Sequence, residues 1–255
     1  MTGPLAVGPE DPGAWAILGV AGFVAGALNV VAGGGSFLTL PVLIFLGLPS
    51  TVANATNRVG VVIQSVGGVW GFHRHAVMDW RWGLLASVPC LAGAALGAWA
   101  ALQVSDAAFR RILALVMVAV TLWTLVDPLK GQGRDFVRLP WSPAVFAGWL
   151  GVGLYGGFVQ AGVGFLALAV TTHAGLDLVR GNAVKVLTVL ALTLLSLLIF
   201  VAAGKVDWPM GLALGLGSLL GSLVGVRLTV SKGHAWLRGV VTATVVLFAV
   251  RLWFS

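Results

Sequence analysis

The sequence predicts an all-α polytopic membrane protein built from two inverted repeats of about five helical segments each, with short or re-entrant broken helices. Three observations predict it. Hydrophobic residues make up 59% of the 255 positions and charged residues 9%, with a mean hydropathy of +1.02. That balance cannot present a water-facing surface around a single core. Segments able to cross about 30 Å of hydrocarbon at ~1.5 Å per residue follow one another through nearly the whole length. Finally, the second half slides onto the first without gaps at a constant offset of 128 positions.

Apolar runs, punctuated by Gly, Pro and charge, predict helices over Trp15–Val31, Ser36–Leu46, Thr51–Phe72, Trp80–Leu102 and Asp106–Val126. A second set is predicted over Pro143–Val159, Val163–His173, Val179–Ala202, Trp208–Thr229 and His234–Trp253. The chain then divides into an extracytoplasmic tail (1–14), a first transmembrane repeat (15–126), a cytoplasmic linker (127–142) and a second repeat (143–255). The offset pairs Gly34 with Gly162, Phe37 with Phe165, Gly47 with Gly175, Asn54 with Asn182, Asp79-Trp80 with Asp207-Trp208, Gly93 with Gly221 and Arg110 with Arg238. Low-complexity coincidence would not hold Asn, Asp and Trp in one register. An odd number of segments per half makes the second enter the membrane from the opposite side, and a re-entrant hairpin in each half leaves that parity unchanged.

With this topology Arg74, Arg81, Lys130, Arg134, Arg138, Arg180, Lys232 and Arg238 fall on one face, and Arg110, Arg111, Lys205 and Arg251 on the other. The richer face is expected to be cytoplasmic, in a bacterial inner (plasma) membrane, with both termini outside. Residues 1–13 fit this, since they carry Glu10 and Asp11 but no Lys or Arg, and so lack the basic start of a signal peptide. Trp15, Trp80, Trp82, Trp141, Trp208, Trp236 and Trp253 sit near predicted helix ends, as interfacial anchors do.

The net charge of +7 is accounted for by these connections, so the expected partner is the lipid bilayer and not nucleic acid. Self-association is compatible with the pattern. The single cysteine, Cys90, excludes an internal disulfide and a cysteine metal cluster, and it reads as packing. The chain contains no HExxH, GxSxG or Walker sequence, so no enzyme, cofactor or metal is expected.

Two places can handle a substrate. The first is a glycine break, Asn29 through Gly34, Gly35 and Ser36, with its counterpart Gln160, Gly162 and Gly164. Lipid cannot satisfy backbone groups exposed at such breaks, so they must be buried in protein or line a watery cavity. The helix starts that follow carry partial positive charge and suit an anion. Close helix packing through glycine is the alternative. The second place is the start of each third segment. Asn54, Asn57 and Arg58 share a face that continues through Ser65, and Asn182, Lys185 and Ser196 form a similar stripe. Arg58 and Lys185 would lie about 10 Å inside their helices, unless they snorkel to the surface. Asp79 and Asp207 read as helix caps, and His73 and His75 as solvated loop residues; the role of His173 stays open.

The strings NVVAGGGSFLTLP (29–41), GLP (47–49) and VANATN (52–57) resemble the first-half signature of the TauE/SafE sulfite exporter family. GGFVQAGVG (156–164) and RGNAVK (180–185) resemble its second signature, with Gln160 where small residues are more usual. The resemblance covers essentially the whole chain. It implies a polytopic transporter exporting sulfite, sulfoacetate or a related sulfur-containing anion. None of the acidic residues falls in the middle of a predicted span, so the expected driving force is the membrane potential and not a carboxylate relay. Thiosulfate, small carboxylates and other anions remain alternative substrates, and a nontransporting membrane scaffold is the alternative class.

Overall fold

The computed structural model describes residues 12–125 and 141–253, so most of the predicted tail and most of the linker, with Lys130, Arg134 and Arg138, lie outside the described residues. The side chains of Trp236, Arg238, Arg251 and Trp253 lie outside them too. Among the described residues all regular structure is helical: α1 (Pro12–Val31), α2 (Ser36–Phe45), α3 (Ser50–Arg74), α4 (Trp80–Gln103), α5 (Asp106–Leu125), α6 (Pro143–Phe158), α7 (Val163–His173), α8 (Leu178–Ala202) and α9 (Trp208–Trp253).

Most boundaries fall within three residues of expectation, and local chemistry explains why. Asp79 accepts from Trp82 N at the start of α4. Its counterpart Asp207 accepts from Met210 N at the start of α9. Asp177 accepts from Val179 N and Arg180 N at the start of α8. Asp106 reaches across from α5 to accept from Thr51 N at the start of α3. Every described aspartate therefore serves a helix N-terminus, where orphan N–H groups and the helix dipole favour it. Gly47 and Gly175, equivalent under the offset, both turn the chain after a short helix at φ +100° and +79°, a conformation open mainly to glycine.

One expectation fails. The predicted helices Trp208–Thr229 and His234–Trp253 are a single helix of 46 residues. Residues 230–233 contain no proline, and one glycine costs a helix only about 1 kcal/mol, too little to stop it.

The short helices double back. A Cβ built on Gly156 would stand 2.6 Å from a Val163 methyl, and one on Gly148 would stand 3.1 Å from a Val170 methyl. α7 thus returns antiparallel alongside α6. In the first half a Cβ on Gly35 would stand 2.1 Å from Ala25 O, so the chain reverses at Gly33–Gly35 in the same way. α2 and α7, with 10 and 11 residues, span only about half of a bilayer core at ~1.5 Å per residue. Each break with its short helix forms a hairpin.

The halves interlock. α1 packs along α9, and its counterpart α6 along α4; α3 also packs on α9, and its counterpart α8 on α4. Small residues permit the approach, since a Cβ on Gly153 would meet Cys90 O at 2.0 Å and one on Gly26 would meet Ser218 O at 2.2 Å. Cys90 and Ser218 are themselves equivalent under the offset, and Cys90 is buried in the packing between α4 and α6. On the outside, Val20, Leu84, Val88, Leu96, Leu216 and Leu220 are exposed on the long helices, the surface expected of a protein solvated by lipid. Trp80 and Trp208 are exposed at helix starts, as anchors would be. Trp82 differs: it is buried and stacks on Trp141, with centroids 4.9 Å apart, because α4 turns that face toward the protein.

Candidate functional site

The two hairpin tips meet inside the molecule. A Cβ on Gly33, which has φ +96°, would stand 2.4 Å from Gly164 C, so the two backbones touch. Phe37 and Phe165, one residue seen in both repeats, stack at 6.2 Å between centroids. Gly34 lies under the Phe165 ring, and Gly162 takes the left-handed conformation, φ +73°, that opens α7. At these positions the glycines serve close approach and turning.

Breaking a helix inside a membrane strands its last carbonyls. Here each half satisfies the other's. From α3, Arg58 donates through Nη1 to Gly156 O at 3.0 Å and through Nη2 to Gly157 O at 2.6 Å, at the end of α6. From α8, Lys185 Nζ donates to Asn29 O at 2.9 Å and Val30 O at 3.0 Å, at the end of α1. The equivalent asparagines do likewise: Asn54 Nδ2 donates to Phe158 O, and Asn182 Nδ2 to Val31 O. Neither basic chain snorkels. Arg58 is 0% exposed and Lys185 1%.

The remaining polar groups hold this frame. Gln160 Oε1 accepts from Arg58 Nη1 at 2.9 Å, its Nε2 donates to Thr193 Oγ1, and its backbone N donates to Asn54 Oδ1. Lys185 also donates to Asn182 Oδ1. Asn29 Oδ1 accepts from Gly35 N at 2.7 Å, and Asn57 links Ser36 to Thr39 by donating to the first and accepting from the second. Tyr155 closes the second break by donating its hydroxyl to Ala161 O. The Phe200 ring lies 5.0 Å from the Arg58 guanidinium carbon. Among the described residues, no carboxylate lies within 4.0 Å of Arg58 or Lys185.

Between the two tips lies a cavity of about 20 Å³, room for one water, lined by Asn29, Ser36 and Gly33 from the first half's break. Gln160, Gly164 and Lys185 line it from the second half, and Val61, Gln64 and Ser65 from α3. Of the residues singled out from sequence, Asn29, Ser36, Ser65, Gln160, Gly164 and Lys185 reach this cavity. Asn54, Asn57, Arg58 and Asn182 stand behind it and support the broken ends; Gly34, Gly35 and Gly162 shape the tips. Ser196, on the expected stripe, returns its hydroxyl to Leu192 O and takes no part. Gln64 was missed, although it stands two turns after Asn57 on the same face of α3. The acceptor carbonyls could not be found from side-chain identity.

Long apolar helices, paired helix breaks and a buried basic centre define a polytopic membrane protein of the transporter class. The family model for the sulfite exporter TauE/SafE family matches residues 18–252, and the chain belongs to that family. It is 31% identical over 244 residues to the probable membrane transporter protein YfcA of Escherichia coli K12, covering 94% of this chain and 90% of that one. It is 29% identical over 240 residues to the probable membrane transporter protein ORF9 of a Sinorhizobium species, covering 93% and 91%. A probable membrane transporter protein of Haemophilus influenzae is 30% identical over 233 residues, covering 89% of each chain. No solved structure matches. The protein is a membrane-embedded transporter.

Proposed function

We propose that this transporter exports a small sulfur-containing anion, such as sulfite, sulfoacetate or a related organosulfonate, down the membrane potential through the central cavity. The observation that carries this reading is a pair of fully buried basic side chains with no carboxylate beside them. A buried charge without a counter-ion is costly, and a transported anion is the missing partner. The starts of α2 and α7 add partial positive charge on the same cavity. Since the described aspartates are all occupied at helix starts, no acidic group among the described residues is positioned to carry a coupling proton or sodium ion through the centre. With the cell interior negative, each charge moved outward gains about 2.3 kcal/mol per 100 mV. A cavity holding one water is too small for sulfite, so the conformation described is a closed one that must open to load.

This reading includes opposed orientation of the repeats, the N-terminus outside an inner membrane, and the Arg180 side facing the cytoplasm; α9, continuous through Gly233, provides no turn to carry the C-terminus back outside. Radiolabelled sulfite in proteoliposomes tests it: an imposed potential should drive efflux from the negative interior, and Lys185→Met should abolish that flux. Obligatory countertransport of another ion, or no flux for any sulfur oxyanion, would sink it. Single cysteines at Arg180 and Lys205 in a Cys90→Ala background should label from opposite sides of intact cells.

A further inference from the structure

The basic residues are the obvious anion ligands, yet the donors of Lys185 are all committed, and Arg58, although its Nε has no partner, stands off the cavity. An ammonium has three N–H donors, and Lys185 Nζ has three acceptors: Asn29 O, Val30 O and Asn182 Oδ1. Arg58 is directed at Gly156, Gly157 and Gln160 and does not line the cavity. Basic side chains held this way contribute charge to a ligand but little directional bonding.

Two other groups on the cavity wall have donors to spare. Gln64 is 4% exposed and Ser65 2%, and both line the cavity. Neither side chain makes a hydrogen bond with any described residue. For Ser65 this is unlike its peers, because Ser87, Thr188 and Ser196 each return the hydroxyl to the carbonyl one turn earlier. Buried polar groups are ordinarily paired, and the cavity these two line is where a partner can reach them. The second repeat offers no substitute: the equivalents are Leu192 and Thr193, and Thr193 is engaged with Gln160. Ser36 adds a third donor, since its oxygen accepts from Asn57 while its own proton is uncommitted.

Building on the transport reading above, we propose that Gln64 and Ser65 are the substrate's hydrogen-bonding ligands and set its selectivity. Lys185 provides charge, and Arg58 is a positioning residue that pins the broken helix of the other half. Two amide N–H groups and two hydroxyls converging from α3 and α2 suit a compact oxyanion, with several acceptor oxygens on one centre. They confer no advantage on a spherical halide of the same charge, which needs only the positive potential.

The test is binding of sodium sulfite and of sodium bromide to purified protein in detergent by calorimetry, with thermal unfolding measured on the same samples. Wild type should prefer sulfite. Gln64→Leu and Ser65→Ala should each lower the sulfite-to-bromide affinity ratio at least tenfold for Gln64 and several-fold for Ser65. Melting should be unchanged or raised in Gln64→Leu, because an unpaired amide is replaced by an apolar chain of similar size. Ratios within twofold of wild type in both variants would overturn the assignment, and so would loss of sulfite affinity accompanied by a matching fall in melting temperature. Failure of wild type to bind sulfite, thiosulfate or sulfate at all would instead overturn the transport reading beneath it.

Discussion

Arg58 and Lys185 do the same structural work from opposite halves, but in different surroundings. Arg58 lies in solid packing, under the Phe200 ring and away from the cavity. Lys185 lines the cavity. The offset makes Lys185 equivalent to Asn57, and Arg58 to Val186. Lys185 and Val186 both line the cavity while Asn57 and Arg58 do not, so the difference lies in where the cavity sits between the halves, nearer this stretch of α8 than that of α3. Related halves can thus share a frame while only one keeps its basic group at the site.

That contrast is most exposed to attack at Arg58. Arg58→Ala should cost about 4 kcal/mol in thermal unfolding, since Gly156 O and Gly157 O are stranded away from the cavity and Gln160 Oε1 loses its charged partner. Gly33→Ala should cost about 3 kcal/mol, combining the left-handed backbone with a Cβ driven into Gly164. Gly151→Ala, where a Cβ meets nothing within 4 Å, should be neutral or slightly stabilising by the same melts. Lys185→Met should abolish sulfite flux in proteoliposomes while costing only about 1 kcal/mol, because water entering the cavity can satisfy Asn29 O and Val30 O. Equal destabilisation by Arg58→Ala and Lys185→Met would erase the distinction drawn between them. Small and equal effects should come where the halves are alike: Asp79→Ala and Asp207→Ala each remove one N-cap, and each should lower stability by about 1 kcal/mol.

The helix starts, the breaks and the repeat could be read in advance because each has a local cause. Aspartate before tryptophan stops and starts a helix whatever surrounds it, and Gly47 and Gly175 turn the chain by their own freedom. The continuity of α9 through Gly233 could not be read that way, since a lone glycine is compatible with either outcome.

From the sequence by itself came the membrane class, the two matched halves, the glycine breaks and the buried polar stripe with Arg58 and Lys185 on it. Only the tertiary structure decided what those groups do. The acceptors of Arg58 lie 98 to 102 positions away and those of Lys185 up to 156. Most of them are backbone carbonyls, which every residue carries and no sequence marks as stranded. The unpaired state of Gln64 is likewise a property of its neighbours. A hydrogen-bonding partner is fixed by where another helix ends, and that is settled by packing between the halves.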